Sequence, residues 1–415
     1  MTGSFMFLID FPEMRARIES IPAGFLPLPS LSETIRSKLI IKASKETILT
    51  AQTQGEFFIY RVPIIINGTE TFNLITAFRD DYENPLTIFT PIIEENDLIY
   101  NIRSVICSKE FDVHFFDEHA RERVAYTVKN VDFEHAKKTF AVAPASLQAT
   151  TAKESYQATV NWFGLRTPED DANSLRIPLE EKLYNDNFSI IDLGDAHTNR
   201  LYFPKPSGLV REIAGPESEE DIAQCFSRSF KNGMIFIGPM KKNNKELADI
   251  VVVEENNVIL VQAKDSPNNE AMLSRSIERK SRASRALAEK GFSQVKGAIR
   301  SVQTDGLKIE NEFVRINMHP ENINLYAILV IKERFPDSYR WYYEKSSEIT
   351  RDKGVMTVLL SYRQLHEITH HMESGKDFIG AITQMYFQGS LDSQFPELNF
   401  PKKQRIAHYT LRGND

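Results

Sequence analysis

Apolar and polar positions change rhythm near the middle of the chain. From Glu56 to Val131, short β-rich runs alternate with turn residues: Phe57-Phe58-Ile59-Tyr60, Ile64-Ile65-Ile66, Phe72–Phe78, Leu86–Ile93, Leu98–Cys107, Val113–Phe116 and Val124–Val128. Runs of this kind predict strands, and Asn67-Gly68 between two of them predicts a hairpin turn. Residues 146–163 and 177–184 carry helical spacing, so the first half reads as a mostly antiparallel α+β domain over residues 1–203. Phe203-Pro204-Lys205-Pro206-Ser207-Gly208 and Gly215-Pro216 break both patterns and mark a linker over 204–216.

Beyond it the spacing predicts a helix from Pro216 to Phe230, strands at Met234–Ile237, Leu247–Val253 and Val258–Ala263, and a long helical stretch over Asn269–Val302, broken or kinked at Gly291. Strands follow at Ile323–Ile331 and Val355–Leu360, then helices at Tyr362–Glu373 and Lys376–Tyr386. This order describes an α/β/α layered domain over 217–392, with residues 393–415 as a tail. The expected class is therefore α/β, α+β overall, in two domains.

Composition narrows the picture. Hydrophobic residues at 41% and charged residues at 26% are ordinary for a globular protein and argue against disorder or a fibre. Cys107 and Cys225 lack metal-ligand spacing, which fits a reducing cytoplasm. Met1 to Phe11 shows no basic start before a long apolar run, and no stretch approaches the length of a membrane span, so neither an export signal nor a membrane partner is expected. The net charge of −7 says little about any one cleft.

The candidate chemistry lies on the strand ending in Lys264. Alternation puts Leu260, Gln262 and Lys264 on one face, so a polar pair interrupts an apolar surface where burial without partners is costly. Asp249 precedes Ile250-Val251-Val252-Val253, and the short turn Glu254-Glu255-Asn256-Asn257 brings its carboxylate back beside that pair. An acidic oxygen ligand, a second polar group and a lysine are what phosphodiester hydrolysis with Mg²⁺ needs.

Asp249, then twelve intervening residues, then Gln262-Ala263-Lys264 resembles the PD-(D/E)xK nuclease motif in the Q-x-K form of its Mrr-like branch. The resemblance covers the C-terminal half and implies a restriction-endonuclease-like fold. It also implies a cation, Mg²⁺ or Mn²⁺, held by Asp249 and the Ala263 carbonyl, with Gln262 assisting and Lys264 catalytic. Members of that branch place a glutamate on the helix before the sheet. Glu219 shares the stripe of Ile222, Phe226 and Phe230 and takes that role, as a catalytic and metal-binding residue, ahead of Glu220. The sequence departs from the pattern in having Gln262 for an acid and no proline before Asp249; Glu246 stands close by as an extra carboxylate. The resemblance further implies DNA as partner, a setting in prokaryotic defence against foreign DNA, and room for a regulatory protein partner or a homo-oligomer.

Residues 270–300 hold eight basic side chains against three acidic ones in an otherwise acidic chain. Arg275, Arg279, Arg282 and Arg285, with Lys296 further on, form the expected phosphate-binding surface, the first three on one helical face. Ala286, Leu287, Phe292, Val295 and Ile299 supply the packing side.

Two other patterns compete. His366-Glu367-Ile368-Thr369-His370 matches H-E-x-x-H, which on a helix serves a zinc peptidase. Leu365, Ile368 and Met372 instead fit a packing helix, and only Asp377 and Glu397 stand as candidate third ligands. A nuclease-like module that binds nucleic acid or protein without cutting is the other alternative. His114 and His119 flank Asp117-Glu118 in an expected surface hairpin and receive no role.

Overall fold

A computed structural model describes residues 6–396 apart from residues 22, 31–34, 67, 91–95, 130, 141–151, 185–207, 214, 231–233, 242–243 and 311–314. The chain is an α+β protein that divides into two compact units between residues 192 and 193. The division, residues 146–151 of an expected helix, residues 204–207 and 214 of the expected linker, and residues 397–415 of the expected tail, Glu397 among them, lie outside the described residues.

The first unit runs α1 (Phe7–Asp10), α2 (Arg15–Ser20), β1 (Gly24–Leu28), β2 (Ser37–Lys42), α3 (Lys45–Gln54), β3 (Glu56–Ile66), β4 (Thr69–Phe78), β5 (Leu86–Thr90), α4 (Asn96–Ile106), β6 (Phe111–Phe116), β7 (Glu122–Val128), α5 (Phe133–Thr139), α6 (Ala152–Gly164), α7 (Pro168–Ala172), β8 (Leu175–Pro178) and β9 (Glu181–Lys182). Its strands form two sheets, β1-β2-β6-β7-β9 and β5-β4-β3-β8, and only the β2–β6 pairing is parallel. Ile66 pairs with Thr69, and Gly68 takes a left-handed φ of 76°, which closes the expected hairpin.

Three expectations for this unit are corrected. Leu98–Cys107 is not a strand: buried Leu98, Ile102, Val105 and Ile106 recur at helical spacing and lie on the inner side of α4. Residues 177–184 are not helical, because Ile177 pairs with Phe57 and Lys182 with Tyr126, and sheet pairing overrides the local helical composition. The His114 hairpin is not a surface loop. His114 is buried on β6 with Nδ1 2.7 Å from Glu122 Oε1, and buried Asp117 accepts from the side chains of Arg121 and Arg123.

The second unit comprises α8 (Pro216–Ser229), β10 (Met234–Ile237), β11 (Ile250–Glu254), β12 (Asn257–Lys264), α9 (Glu270–Leu273), α10 (Ile277–Asp305), β13 (Leu307–Glu310), β14 (Arg315–Met318), β15 (Asn324–Ile331), α11 (Tyr339–Lys353), β16 (Met356–Ser361), α12 (Tyr362–His371) and α13 (Gly375–Asp392). Its main sheet is ordered β10-β11-β12-β15-β16. The first three strands are antiparallel, and β12, β15 and β16 are parallel. Parallel neighbours need crossovers, supplied by α10 and by α11, a helix that the spacing of apolar residues did not predict. These two helices pack together on one face, while α8, α12 and α13 form the other layer. Phe226, Phe230 and Phe378 bind that second layer together, with ring centroids 5.4–6.0 Å apart.

The long helix is not kinked at Gly291; the interruption falls at Ser274–Ser276, between α9 and α10, and α10 runs unbroken through the glycine. At the start of the expected tail, Phe395 is buried, stacks edge-on against Tyr343 and accepts a hydrogen bond from Arg334. The described part of the expected linker is likewise tied down, since Arg211 exchanges two backbone hydrogen bonds, 2.9 and 2.8 Å, with Asn268.

Candidate active site

The β11–β12 hairpin turns at Glu255-Asn256, with Glu254 opposite Asn257 and Glu255 at a φ of 54°. Its other end holds the predicted residues. Ile250 pairs with Val261, so Asp249, one residue earlier, comes opposite Gln262, and the Gly238 amide donates to the Asp249 carbonyl at 2.8 Å. Strand alternation then puts the Asp249, Gln262 and Lys264 side chains on the α10 face.

Three donors meet the Asp249 carboxylate. The Ala263 amide donates to Oδ2 at 2.7 Å, Lys264 Nζ lies 3.3 Å from the same oxygen, and the Gln262 amide nitrogen lies 3.3 Å from both oxygens. Gln262 is 4% exposed and Asp249 8%, so these bonds form in a partly dry setting where each counts for more than in water. The hydrogen-bond pattern fixes the Gln262 amide: its oxygen accepts from the Asp249 backbone amide at 3.1 Å, and its nitrogen also donates to Gln294 Oε1 at 3.2 Å.

Gln294 and Gly291, one turn apart on α10, are members of this site that sequence reasoning missed. A Cβ at Gly291 would overlap Leu329 Cδ1 and lie 3.1 Å from Lys264 Cγ. The glycine serves close approach of helix to sheet; the helical dihedral there needs no special residue.

Glu219, half-buried near the start of α8, joins the constellation electrostatically. Burial and then the carboxylates of Asp249 and Glu246 push its carboxyl up to about 7, with Lys264 opposing. Glu246 is also raised, by partial burial and by Asp249, again against Lys264. Glu220 acts on Glu219 as a further like charge. The Glu219 carboxyl thus responds to the charges of both Asp249 and Lys264.

Comparison with family models, curated proteins and solved structures gave no match. The chemistry of the site therefore rests on its own donors and acceptors. Among the described residues, no three His, Cys, Asp or Glu side chains gather as a metal-binding group. What the site offers is hard oxygen: Asp249, the Ala263 carbonyl and Glu219, with repulsion among carboxylates that a cation would relieve. That donor set fits Mg²⁺ or Mn²⁺, which retain several waters, better than zinc. Lys264 Nζ donates to the Ala263 carbonyl at 2.7 Å as well as facing Asp249, so a cation on those two oxygens has to move the ammonium outward.

The basic surface is only partly as expected. Arg279, Arg282 and Arg285 are exposed on the first turns of α10, but Arg275 lies in the break before the helix and shares no helical face with them. Arg285 sits over the Trp341 ring at 4.7 Å, and Lys296 is ion-paired with Glu348 at 2.8 Å, so its charge is already answered. Ala286 is exposed and packs no core, whereas Phe292, Val295 and Ile299 are buried.

The H-E-x-x-H helix offers a packed environment instead of a ligand set. His366 is buried with Nδ1 2.7 Å from Arg228 Nη1, a donor that uses the nitrogen as an acceptor, and Glu367 is held by Arg363 at 3.0 Å.

Proposed function

We propose that the second unit is a metal-dependent nuclease domain that hydrolyses phosphodiester bonds of DNA with Mg²⁺ or Mn²⁺. The observation that carries this reading is the convergence of Asp249, Gln262 and Lys264 through direct hydrogen bonds, with the Glu219 carboxyl raised by burial and then by the same carboxylate.

Asp249, Glu219 and the Ala263 carbonyl would hold the cation. Bound there, it would offset charge on the phosphate and lower the pKa of a water. Lys264 would orient an attacking water or stabilise charge developing on the phosphate oxygens. Gln262 holds Asp249 and is not itself a ligand, because its oxygen is committed to a backbone amide. With a rise of 1.5 Å per residue, Arg285 and Arg279 lie about 9 and 18 Å along α10 from Gly291, placed to hold successive phosphates of a strand leading to the site.

The wider reading places this activity in the cytoplasm, in prokaryotic defence against foreign DNA, with the first unit as a recognition or regulatory element. No described helix is long and apolar enough to cross a membrane. Cys107 and Cys225 are not joined in a disulfide.

Gln262 also favours one second reading. A site with two protein carboxylates and an amide in place of the third binds its cation more weakly, and a module that holds DNA without cutting it follows if that affinity is lost. Plasmid cleavage in Mg²⁺ and Mn²⁺, beside Lys264→Ala, separates the two: binding without cleavage, indifferent to Lys264, favours the module.

A further inference from the structure

We propose that Gln294 is a positioning residue of this site, acting on Asp249 through the amide of Gln262; the inference rests on the nuclease reading. An amide group can turn end for end with almost no change of shape, so its orientation is decided by which partners donate and which accept. Gln262 has a donor on one side, the Asp249 backbone amide at 3.1 Å, and acceptors on the other, the Asp249 carboxylate at 3.3 Å and Gln294 Oε1 at 3.2 Å. Turned over, its nitrogen would face the backbone donor and its oxygen would face the carboxylate. Gln294 thus takes one of the two Gln262 N–H groups and leaves the other for Asp249.

The coupling has a mechanical basis. The close approach at Gly291 seats α10 on Leu329 and Lys264, and Gln294, three residues later, comes level with Gln262. Gln262 is buried, so an N–H left without an acceptor there is costly, whereas Gln294 is itself exposed and fills no core space. Its replacement is therefore expected to alter the site without unfolding the domain. Conversely, a donor at position 294 opposes the orientation that Asp249 requires.

The test uses full-length protein labelled with ¹⁵N at glutamine, in wild type, Gln294→Leu, Gln294→Glu and Gln294→Lys. It reads solvent exchange of the Gln262 side-chain amide, identified by its loss in Gln262→Leu, together with DNA cleavage in Mn²⁺. Exchange is expected to be slow in wild type and Gln294→Glu and at least several-fold faster in Gln294→Leu and Gln294→Lys. Turnover in Gln294→Leu is expected to fall about fivefold, the loss of one hydrogen bond, with KM for DNA unchanged and with recovery in Gln294→Glu. Gln294→Lys is expected to fall further. Unchanged exchange in Gln294→Leu overturns the proposal, and so does faster exchange with turnover unchanged. If wild-type protein cuts no DNA, the nuclease reading fails on its own, and the exchange rates still decide whether Gln294 holds Gln262.

Discussion

The backbone amide of Ala263 donates to Oδ2 of Asp249 across fourteen residues of sequence, at 2.7 Å. This bond ties the candidate acid of one strand to the middle of the Gln-Ala-Lys triplet on the next. It also separates two kinds of damage. Asp249→Ala leaves the Ala263 amide and one Gln262 N–H without their acceptor and is expected to lower stability by about 1–3 kcal/mol. Asp249→Asn keeps an acceptor of the same shape but removes the charge, so it is expected to lose metal binding with a much smaller change in Tm. Calorimetric unfolding and Mn²⁺ titration of both variants check this.

Glu219 gives the site a pH dependence whose sign can be worked out. Its carboxyl is raised from the ordinary glutamate value of 4.5 to about 7, so folding favours the protonated form. That contribution is fully present below about 4.5 and is lost as pH rises through about 7. Metal-free wild-type protein should lose more Tm between about pH 5 and 8 than Glu219→Gln does. Apparent Mn²⁺ affinity should rise through the same range in wild type and remain flatter in the variant. Equal pH slopes for both proteins would remove Glu219 from the site.

Gly291→Ala adds one methyl group where Leu329 and Lys264 already press on the helix. Overpacking of this kind costs about 1–3 kcal/mol. Because the displaced neighbour includes the Lys264 stem, cleavage should fall with stability. Leu329→Ala in the same chain is expected to restore part of the cleavage, although it creates its own cavity. Denaturant unfolding and cleavage rates of the single and double variants measure both effects.

The exposed arginines of α10 predict a salt signature. Charge removal at Arg279, Arg282 and Arg285 is expected to reduce the slope of log K against log salt by roughly 0.9 for each phosphate that is no longer neutralised. Lys296→Ala should change that slope little, since Glu348 already neutralises the lysine. DNA binding measured across a salt series tells the two classes apart.

The strand pair that carries the site was legible because its signals are local: alternation along Val258–Lys264 and a two-residue turn fix which side chains share a face. Glu219 followed from helical spacing and the motif together. The expected kink at Gly291 was wrong because conformational freedom is only one use of glycine; here the missing Cβ serves close packing against Leu329 of β15, thirty-eight residues away in sequence. Gln294 gave no sequence signal, since an exposed glutamine on a helix looks like any solvated residue until the opposite strand is in place. In the first unit, Leu98–Cys107 held four residues at helical spacing within an apolar run that resembles a strand, and residues 177–184 were composed like a helix but claimed by sheet edges.

The most direct measurement is cleavage of plasmid and linear DNA by the purified chain in Mg²⁺ and Mn²⁺, beside Lys264→Ala and an EDTA control. The account predicts metal-dependent cutting that falls by at least roughly two orders of magnitude in Lys264→Ala while Tm and DNA affinity are largely kept. Cutting at equal rates by wild type and Lys264→Ala would contradict it.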